Sequence, residues 1–280
     1  MVNRVLILSG SSTGIGLEAS KSFSQQNYRV WAGVRNQSDF DRLGALPNIE
    51  PLILDITNSE DLRLFEERLQ KHGPQISSLS LINNAGIVYS SAWEIQDIEE
   101  LKHQFEVNFF GAIRLTQICL PLIRQTRGRI VNISSISGRF ASPFLGPYSS
   151  SKFALDAFSD SLRRELRRSG VRVISINPGP IQTPLWEKRL GKMMNWKKIE
   201  SLSPDLKAAY FSGLSRFYRR VEASAKNAEP VEIVLRALQV ALLSNCPPAR
   251  IYVGKGVGAF SRYQHWIPER LLDWLVEKFI

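Results

Sequence analysis

Residues 6–23 read LILSGSSTGIGLEASKSF, an apolar run that meets three glycines and continues in a helical pattern. Gly10, Gly14 and Gly16 stand at the turn from strand to helix, where glycine lets the backbone turn tightly and approach a ligand closely. The free N–H groups and the dipole at a helix N-terminus attract phosphate. The stretch therefore predicts a unit that holds the pyrophosphate of a dinucleotide. Three hydroxyl side chains of the turn are expected beside the phosphates: Ser11, Ser12 and Thr13.

The chain contains seven apolar runs rich in Val, Ile and Leu, and helical patterns separate them. The first of the seven is the run that precedes Gly10. Runs this apolar are typical of strands that are covered on both faces. The alternation predicts an α/β fold: a doubly wound, Rossmann-type parallel sheet of about seven strands in a single domain over residues 1–280. Long helices are predicted over 97–125 and 147–169. The runs lie near Arg4, Tyr28, Glu50, Leu79, Gly128, Val171 and Arg250.

The region 184–246 breaks the alternation, because its pattern is helical, basic and aromatic. We interpret it as a helical insertion that covers the substrate, not as a second domain. A C-terminal helix is predicted over 266–280 and is interpreted as docking on the protein, with a membrane-surface helix as the alternative. Its apolar face holds Leu271, Leu272, Leu275 and Phe279, and the aromatic residues of the insertion are Trp186, Trp196, Phe211, Phe217 and Tyr218.

The chain carries a formal net charge of +10, and residues 181–280 contribute +7 of it. Such an excess can attract anionic lipid, nucleic acid or a phosphorylated ligand, or it can be a solvated surface. We expect the solvated surface and no nucleic-acid partner, with peripheral membrane contact through the basic C-terminal third as the alternative.

Composition also bears on the compartment and on metals. Cys119 and Cys246 both lie in apolar stretches, and no disulfide framework is implied, which favours a reducing cytoplasm. We expect no signal peptide and no membrane span, since no apolar run is long enough. No cluster of His, Asp and Glu has metal-ligand spacing, so we predict no metal.

The end of the second strand distinguishes NADP from NAD. An acidic residue there would bind the ribose 2′-OH of NAD, whereas an arginine accommodates the 2′-phosphate of NADP. Residues 30–39 read VWAGVRNQSD, which puts Val34 at the acidic position and Arg35 after it. The planar guanidinium suits phosphate. We therefore predict NADP as the cofactor, with NAD less favoured.

A tyrosine and a lysine share one helical edge in the stretch GPYSSSKFALDAFSDSLRREL, which begins at Gly146. Tyr148 and Lys152 are four residues apart and so lie on the same face. The pKa of a free tyrosine is about 10, and a neighbouring cation lowers it by favouring the phenolate. The pair is thus suited to give a proton to a carbonyl oxygen or to take one from an alcohol, a role worth roughly 10²–10⁴-fold in rate.

These stretches resemble motifs of the short-chain dehydrogenase/reductase family. SGSSTGIG resembles its TGxxxGIG loop, with Ser9 in the place of threonine. LDIT, NNAG, FEVNFFG, NISSISG, YSSSK and NPGPIQTP follow in the family's order. The resemblance covers residues 4 to about 185 and the last strand near 250.

The resemblance implies hydride transfer between NADP(H) and a carbonyl or alcohol. Tyr148 would be the general acid and base, Lys152 would hold the nicotinamide ribose, Ser135 would orient the substrate oxygen, and Asn108 would support a proton relay through a water. Ser134 competes with Ser135, but the thirteen-residue spacing to Tyr148 favours Ser135. The implied cofactor contacts, besides Tyr148 and Lys152, are Gly10, Ser12, Thr13, Gly14, Ile15, Gly16, Arg35, Asp55, Ile56, Asn84, Ala85, Gly86, Pro178, Gly179, Ile181 and Thr183.

The aromatic residues of the insertion favour a bulky hydrophobic substrate, such as a steroid-, retinoid- or lipid-like ketone. A 3-ketoacyl thioester is the second candidate, since a basic insertion could receive its carrier. A non-catalytic NADP(H) sensor or membrane-surface scaffold is a distant alternative, which would be expected to lack Tyr148 or Lys152. By analogy with the family, a homodimer or homotetramer would form through the helices near 97–125 and 147–169.

Overall fold

The protein is described by a computed structural model that covers residues 3–183 and 202–279. Seven parallel strands in those residues form one sheet in the order β3-β2-β1-β4-β5-β6-β7, which confirms the predicted doubly wound α/β fold. The order reverses between β1 and β4, and this leaves a crevice at the carboxyl ends of the strands. The strands are β1 Arg4–Leu8, β2 Arg29–Val34, β3 Ile49–Ile53, β4 Ser78–Asn83, β5 Arg129–Ile133, β6 Arg172–Pro178 and β7 Arg250–Val253.

Helices cover both faces of the sheet. The helix predicted over 97–125 consists of two α-helices joined by a π-helical turn, Glu106–Phe110, and the one predicted over 147–169 ends in a 3-10 turn, Leu166–Ser169. The α-helices are α1 Gly14–Ser24, α2 Gln37–Gly44, α3 Ser59–His72, α4 Ile98–Phe105, α5 Gly111–Gln125, α6 Gly146–Glu165, α7 Pro204–Lys226, α8 Glu232–Leu243, α9 Val257–Tyr263 and α10 Glu269–Phe279.

The central strands are buried on both faces, which is why they read as continuous apolar runs. In β1, Leu6 and Leu8 pack into one core cluster with α1 and α8. Val5 and Ile7 point the other way, into a second cluster with α3, α5 and α6. Each such side chain contributes about 1.5–3 kcal/mol by leaving water. The core therefore lies in two layers, one on each side of the sheet.

The predicted insertion ends earlier than residue 246. Helix α8 buries Val234, Leu238 and Ala241 in the same cluster as α1 and the sheet, so it is a sheet-covering helix of the fold. An amphipathic pattern looks alike whichever apolar surface it packs on, and the sequence therefore misplaced this boundary.

The described part of the insertion is α7. It packs Leu214, Phe217 and Tyr218 beside Tyr148 and away from the sheet. Trp186 and Trp196, which were expected in the same insertion, lie outside the described residues.

The C-terminal helix α10 leaves much of its apolar face in solvent. Leu271 is 48% and Trp274 is 52% exposed, while Leu272 and Leu275 are only half-buried. Since none of its described side chains is fully buried, the predicted docking is at most partial. Within residues 3–183 and 202–279, no helix combines the length and the apolar character that crossing a bilayer requires.

The two cysteines differ in their surroundings. Cys119 is buried in α5, and burial raises the pKa of its thiol, which keeps it protonated. Cys246 is exposed in the loop after α8, so the apolar setting expected for it is wrong.

Candidate active site

A cleft of about 830 Å³ opens at the carboxyl ends of the strands. Because parallel strands all end at the same edge of the sheet, the residues that follow each strand converge there. The structure brings every predicted site residue to the lining of this cleft except Ser11, Gly16 and Asn108. Ser11 was expected beside the phosphates, but its hydroxyl is buried and donates to the carbonyl oxygen of Leu8 at 3.0 Å.

The glycine-rich turn after β1 needs its glycines for two different reasons. Gly10 and Gly14 have φ angles of +70° and +57°, in the left-handed region. Gly16 acts by packing, because a Cβ there would lie 2.1 Å from the carbonyl oxygen of Gly10. The first turn of α1 carries no acidic side chain, so its N–H groups and dipole present positive potential to the cleft.

Hydrogen bonds join the turn after β1 to the loop after β4. The buried Ser9 hydroxyl accepts the backbone N–H groups of Asn84 and Ala85, both at 3.1 Å. The Asn84 side-chain amide donates to the carbonyl oxygens of Ser9 and Gly10 at 3.1 and 3.0 Å. These bonds fix both walls of the crevice, and serine supplies the acceptor that the family's threonine would supply.

The far end of the cleft offers a cation, Arg35, where the family resemblance implies the ribose 2′-phosphate of NADP. Arg35 is exposed at the end of β2, after the buried Val34. Arg42 of α2, which the sequence analysis missed, donates to the carbonyl oxygen of Ser12 at 2.7 Å and pairs with Asp39. Arg42 does not line the cleft, so the Arg35 guanidinium and the backbone N–H groups of the turn after β1 are the groups that fit the phosphates of NADP.

Asp55 lines the cleft where the family resemblance implies the adenine of the cofactor. Its Oδ1 accepts the Thr57 backbone N–H at 2.9 Å and the Thr57 hydroxyl at 2.7 Å. These bonds orient the carboxylate and leave Oδ2 for a base, which fits the predicted contact.

Tyr148 and Lys152 lie together in the cleft on α6, 8% and 4% exposed. The Lys152 Nζ lies 5.8 Å from the centre of the Tyr148 ring and donates to the carbonyl oxygen of Ile133 at 2.9 Å. The end of β5 thus anchors the ammonium beside the phenol. A cation in this position stabilises negative charge on the phenolic oxygen.

The two candidate serines after β5 face different directions. Ser135 accepts the backbone N–H of Ser137 on its Oγ at 3.1 Å, which leaves its hydroxyl proton to donate into the cleft. The Ser134 hydroxyl is buried and faces the carbonyl oxygen of Lys152 at 3.4 Å. The geometry therefore favours Ser135 as the donor to a substrate oxygen.

Asn108 does not line the cleft, because its side chain holds the backbone behind it. Its Oδ1 accepts the N–H of Ile87 at 2.8 Å, and its Nδ2 donates to the Ile87 carbonyl at 2.9 Å and to Ser151 Oγ at 3.0 Å. A Cβ at Gly86 would come within 3.4 Å of Asn108 Oδ1 and 3.6 Å of Lys152 Nζ. The absence of a side chain at residue 86 thus leaves space between the two groups.

The end of the cleft that holds Tyr148 and Lys152 continues into an apolar chamber that the sequence analysis identified only in part. Its residues come from the loop after β4, from Leu145 just before α6 and from α7, where apolar spacing is also typical of an ordinary core. Burial, reinforced by Glu100, raises the pKa of Tyr89, which keeps this phenol protonated. The lining side chains are Val88, Tyr89, Leu145, Phe217, Val221 and Ser224.

Comparisons with known proteins bear on the family and on the fold. A family model described as short chain dehydrogenase matches residues 4–193. A 3-amino-tetrahydro-pyrrolizinone reductase from Xenorhabdus hominickii is 39% identical over 193 residues, which are 68% of this chain and 66% of that protein. An NADPH-dependent 3-dehydrocapnine reductase from Ornithobacterium rhinotracheale is 32% identical over 96% of this chain and 95% of its own. A solved short chain dehydrogenase from Burkholderia cenocepacia J2315, in complex with NADP, has a TM-score of 0.72 at 24% identity and covers 100% of this chain and 98% of its own.

Proposed function

This chain belongs to the short-chain dehydrogenase family and is an oxidoreductase, and on that premise we propose that it reduces a bulky hydrophobic ketone with NADPH. One observation carries the proposal. A phenol, an ammonium and a serine hydroxyl converge at one end of a cleft whose other end has a glycine-rich turn and the Arg35 guanidinium.

Three side chains would act on the carbonyl oxygen, while NADPH, when bound, would supply the hydride to the carbonyl carbon. The Ser135 hydroxyl donates a hydrogen bond to the oxygen and stabilises the charge that develops there. The Tyr148 phenol gives its proton to the same oxygen, and the Lys152 ammonium stabilises the phenolate that remains. In the reverse direction the phenolate takes the proton from the alcohol.

The phenolate must then recover a proton from solvent. We propose that a water in the space beside Gly86 joins Lys152 to the Asn108 region and so completes the relay. The Asn108 side chain already holds Ile87 and Ser151, so its main function there is to fix the walls of this space.

The cofactor preference follows from Arg35. We expect Arg35→Asp to weaken NADPH binding by about 10–100-fold, since a charge-assisted hydrogen bond contributes about 1.5–3 kcal/mol. NADH binding, which involves no 2′-phosphate, should change little or improve. The measurement is the dissociation constant of each cofactor by fluorescence titration.

The matched control is Arg124→Asp, which makes the same charge change at an exposed position on α5. It should leave the NADPH to NADH ratio within about twofold of the wild-type ratio. An unchanged ratio in Arg35→Asp would remove Arg35 from the phosphate site.

The apolar chamber supports a large hydrophobic substrate of the steroid, retinoid or lipid type. The arginines of α7 (Arg216, Arg219 and Arg220) are exposed and do not line the cleft. This placement favours an uncharged ketone over a 3-ketoacyl thioester on a phosphorylated carrier. The relative from Ornithobacterium rhinotracheale, an NADPH-dependent reductase, supports the same cofactor and direction.

Activity should therefore rise with the apolar size of the ketone. We expect kcat/KM for octan-2-one to exceed that for butan-2-one by about a hundredfold, because each of four extra methylenes contributes about 0.8 kcal/mol when buried. NADPH oxidation, followed by absorbance, measures both substrates. Phe217→Ser should reduce the ratio, whereas Phe211→Ser, on the half-exposed side of α7, should preserve it.

A ratio near one would contradict the apolar chamber as the substrate site. Faster turnover of a 3-ketoacyl thioester than of any ketone of equal length would replace the proposed substrate class. No NADPH oxidation with any carbonyl would favour the non-catalytic sensor.

We also propose a homodimer or homotetramer through α4, α5 and α6. Two large apolar side chains on or beside these helices are exposed, Phe110 at 44% and Phe153 at 42%. Exposed apolar residues of this size on adjacent helices are typical of a subunit interface.

A further inference from the structure

A buried polar network lies on the same face of α6 as Tyr148 and Lys152, one helical turn beyond Lys152. Asp156 follows Lys152 by four residues, so it lies on the same side of the helix, one turn deeper. Its Oδ1 accepts the Ser175 hydroxyl at 2.6 Å, and its Oδ2 accepts the Asn177 side-chain amide at 2.9 Å. The three polar residues are between 0% and 3% exposed.

Asn177 connects this network to the serine of the site. Its Nδ2 also donates to the backbone carbonyl of Ser135 at 3.0 Å. Its Oδ1 lies 3.1 Å from the Ser175 hydroxyl oxygen, whose single proton is directed to Asp156 at the shorter distance. Both N–H donors of the amide have partners, and the amide cannot flip without losing them.

The turn 135–138 lies directly against α6. A Cβ at Gly138 would lie 2.9 Å from the carbonyl oxygen of Lys152 and 3.2 Å from Asp156 Oδ2. The absence of a side chain at Gly138 thus lets the turn lie close to the Asp156 carboxylate.

A cation compensates the buried carboxylate. The Arg250 guanidinium of β7 lies 3.4 Å from Asp156 Oδ2 and 3.3 Å from Asp160 Oδ2, and the arginine side chain is 14% exposed. A buried carboxylate with a cation and hydrogen-bonded neighbours is fixed in position.

We propose that Asp156 and Asn177 are positioning residues that set the direction of the Ser135 hydroxyl relative to Tyr148. The inference rests on the proposed role of Ser135 as the donor to the substrate oxygen. Asn177 fixes the Ser135 backbone, and Asp156 fixes Asn177 from the helix that carries the acid. The Ser135 hydroxyl and the Tyr148 phenol, which both act on the substrate oxygen, are thereby held in fixed positions relative to each other. A misplacement of about 1 Å at such a site costs on the order of 10²-fold in rate.

A double-mutant cycle between Asn177→Ala and Ser135→Ala tests the inference. The measured quantity is the single-turnover rate of NADPH oxidation with octan-2-one in excess. We expect Ser135→Ala to lower this rate by about 10²-fold and Asn177→Ala by about 10-fold. Since Asn177 acts through Ser135, the double variant should be as slow as Ser135→Ala, within about threefold. Additive losses would overturn the proposal.

A control and a second variant separate positioning from loss of stability. Ser159→Ala, on the same helix, removes two buried hydrogen bonds, the one that Ser159 accepts from Asn132 and the one that it donates to the carbonyl oxygen of Leu155, without touching the turn 135–138. Its rate should stay within about threefold of the wild-type rate. An equal loss in Ser159→Ala and Asn177→Ala would overturn the inference. If Asn177→Ala does not fold, Asp156→Asn replaces it in the same cycle, since it keeps the shape but places an amide opposite the Asn177 amide.

The two proposals fail in different ways. A wild-type rate in Ser135→Ala would refute the role of Ser135, and the inference with it. A slow Ser135→Ala beside an unimpaired Asn177→Ala would refute the inference alone.

Discussion

Replacing Tyr148 by phenylalanine is expected to lower kcat for ketone reduction by about a thousandfold, while NADPH still binds. The change removes only the phenolic oxygen, and no other O–H donor is assigned to protonate the substrate oxygen. General acid catalysis typically contributes roughly 10²–10⁴-fold, and the larger part of that range applies because the phenol lies beside an ammonium. Steady-state kinetics with a good ketone and fluorescence titration of NADPH measure the two effects separately.

Tyr28→Phe provides the matched control. Tyr28 is a buried tyrosine in the core, where it packs edge-on against Phe23 and where burial raises its pKa. Loss of this hydroxyl should change kcat by less than about threefold. Turnover of Tyr148→Phe within tenfold of the wild-type value would show that another group gives the proton.

Replacing Lys152 by methionine is expected to lower kcat by about 10²-fold or more and to weaken NADPH binding as well. Methionine keeps the length of the side chain but removes the charge that stabilises the phenolate. Alcohol oxidation, which needs the phenolate, should therefore require a higher pH in this variant than in the wild-type protein. The measurements are kcat, the NADPH dissociation constant and the pH dependence of oxidation.

Lys152→Arg distinguishes charge from geometry in the same experiment. Arginine restores the positive charge, but its planar guanidinium does not reproduce the hydrogen bond of the Lys152 ammonium to the Ile133 carbonyl oxygen. Lys152→Arg should therefore recover only part of the rate. If Lys152→Met retained kcat within tenfold and the wild-type pH dependence, the ammonium would have no role in proton transfer.

Much of the site was predictable because the sheet is parallel. A strand that is covered on both faces reads as an apolar run, and the residue after it must lie at the carboxyl edge. Gly10, Asn84, Ser135 and Thr183 follow four different strands, and all of them line one cleft. The spacing of Tyr148 and Lys152 was equally informative, because a helix fixes which side chains share a face.

Other features could not be read from the chain. Phe217 and Val221 line the substrate end of the cleft, but apolar residues at helical spacing give no sign of which surface they face. For the same reason α8 was assigned to the insertion. The exposed apolar face of α10 is a further case, since an amphipathic pattern does not show whether a partner surface is present.

The hydrogen-bond network around Asp156 was beyond any sequence pattern. Its members come from α6, β6 and β7, and only Asn177, the first residue of NPGPIQTP, belongs to a quoted motif, which gives no sign of its contact with Asp156. Burial of a carboxylate beside a catalytic helix is a property of the assembled structure, and only the contacts reveal it.

The position of β7 has a consequence for how the protein matures during its synthesis. Arg250 enters the sheet opposite Ser175 and neutralises the carboxylate behind α6. Closing this pairing requires a long crossover from β6, which makes it slow relative to local helix formation. A chain still on the ribosome can therefore fold its N-terminal, nucleotide-binding half early. We expect enzyme activity to appear only when β7 joins the sheet.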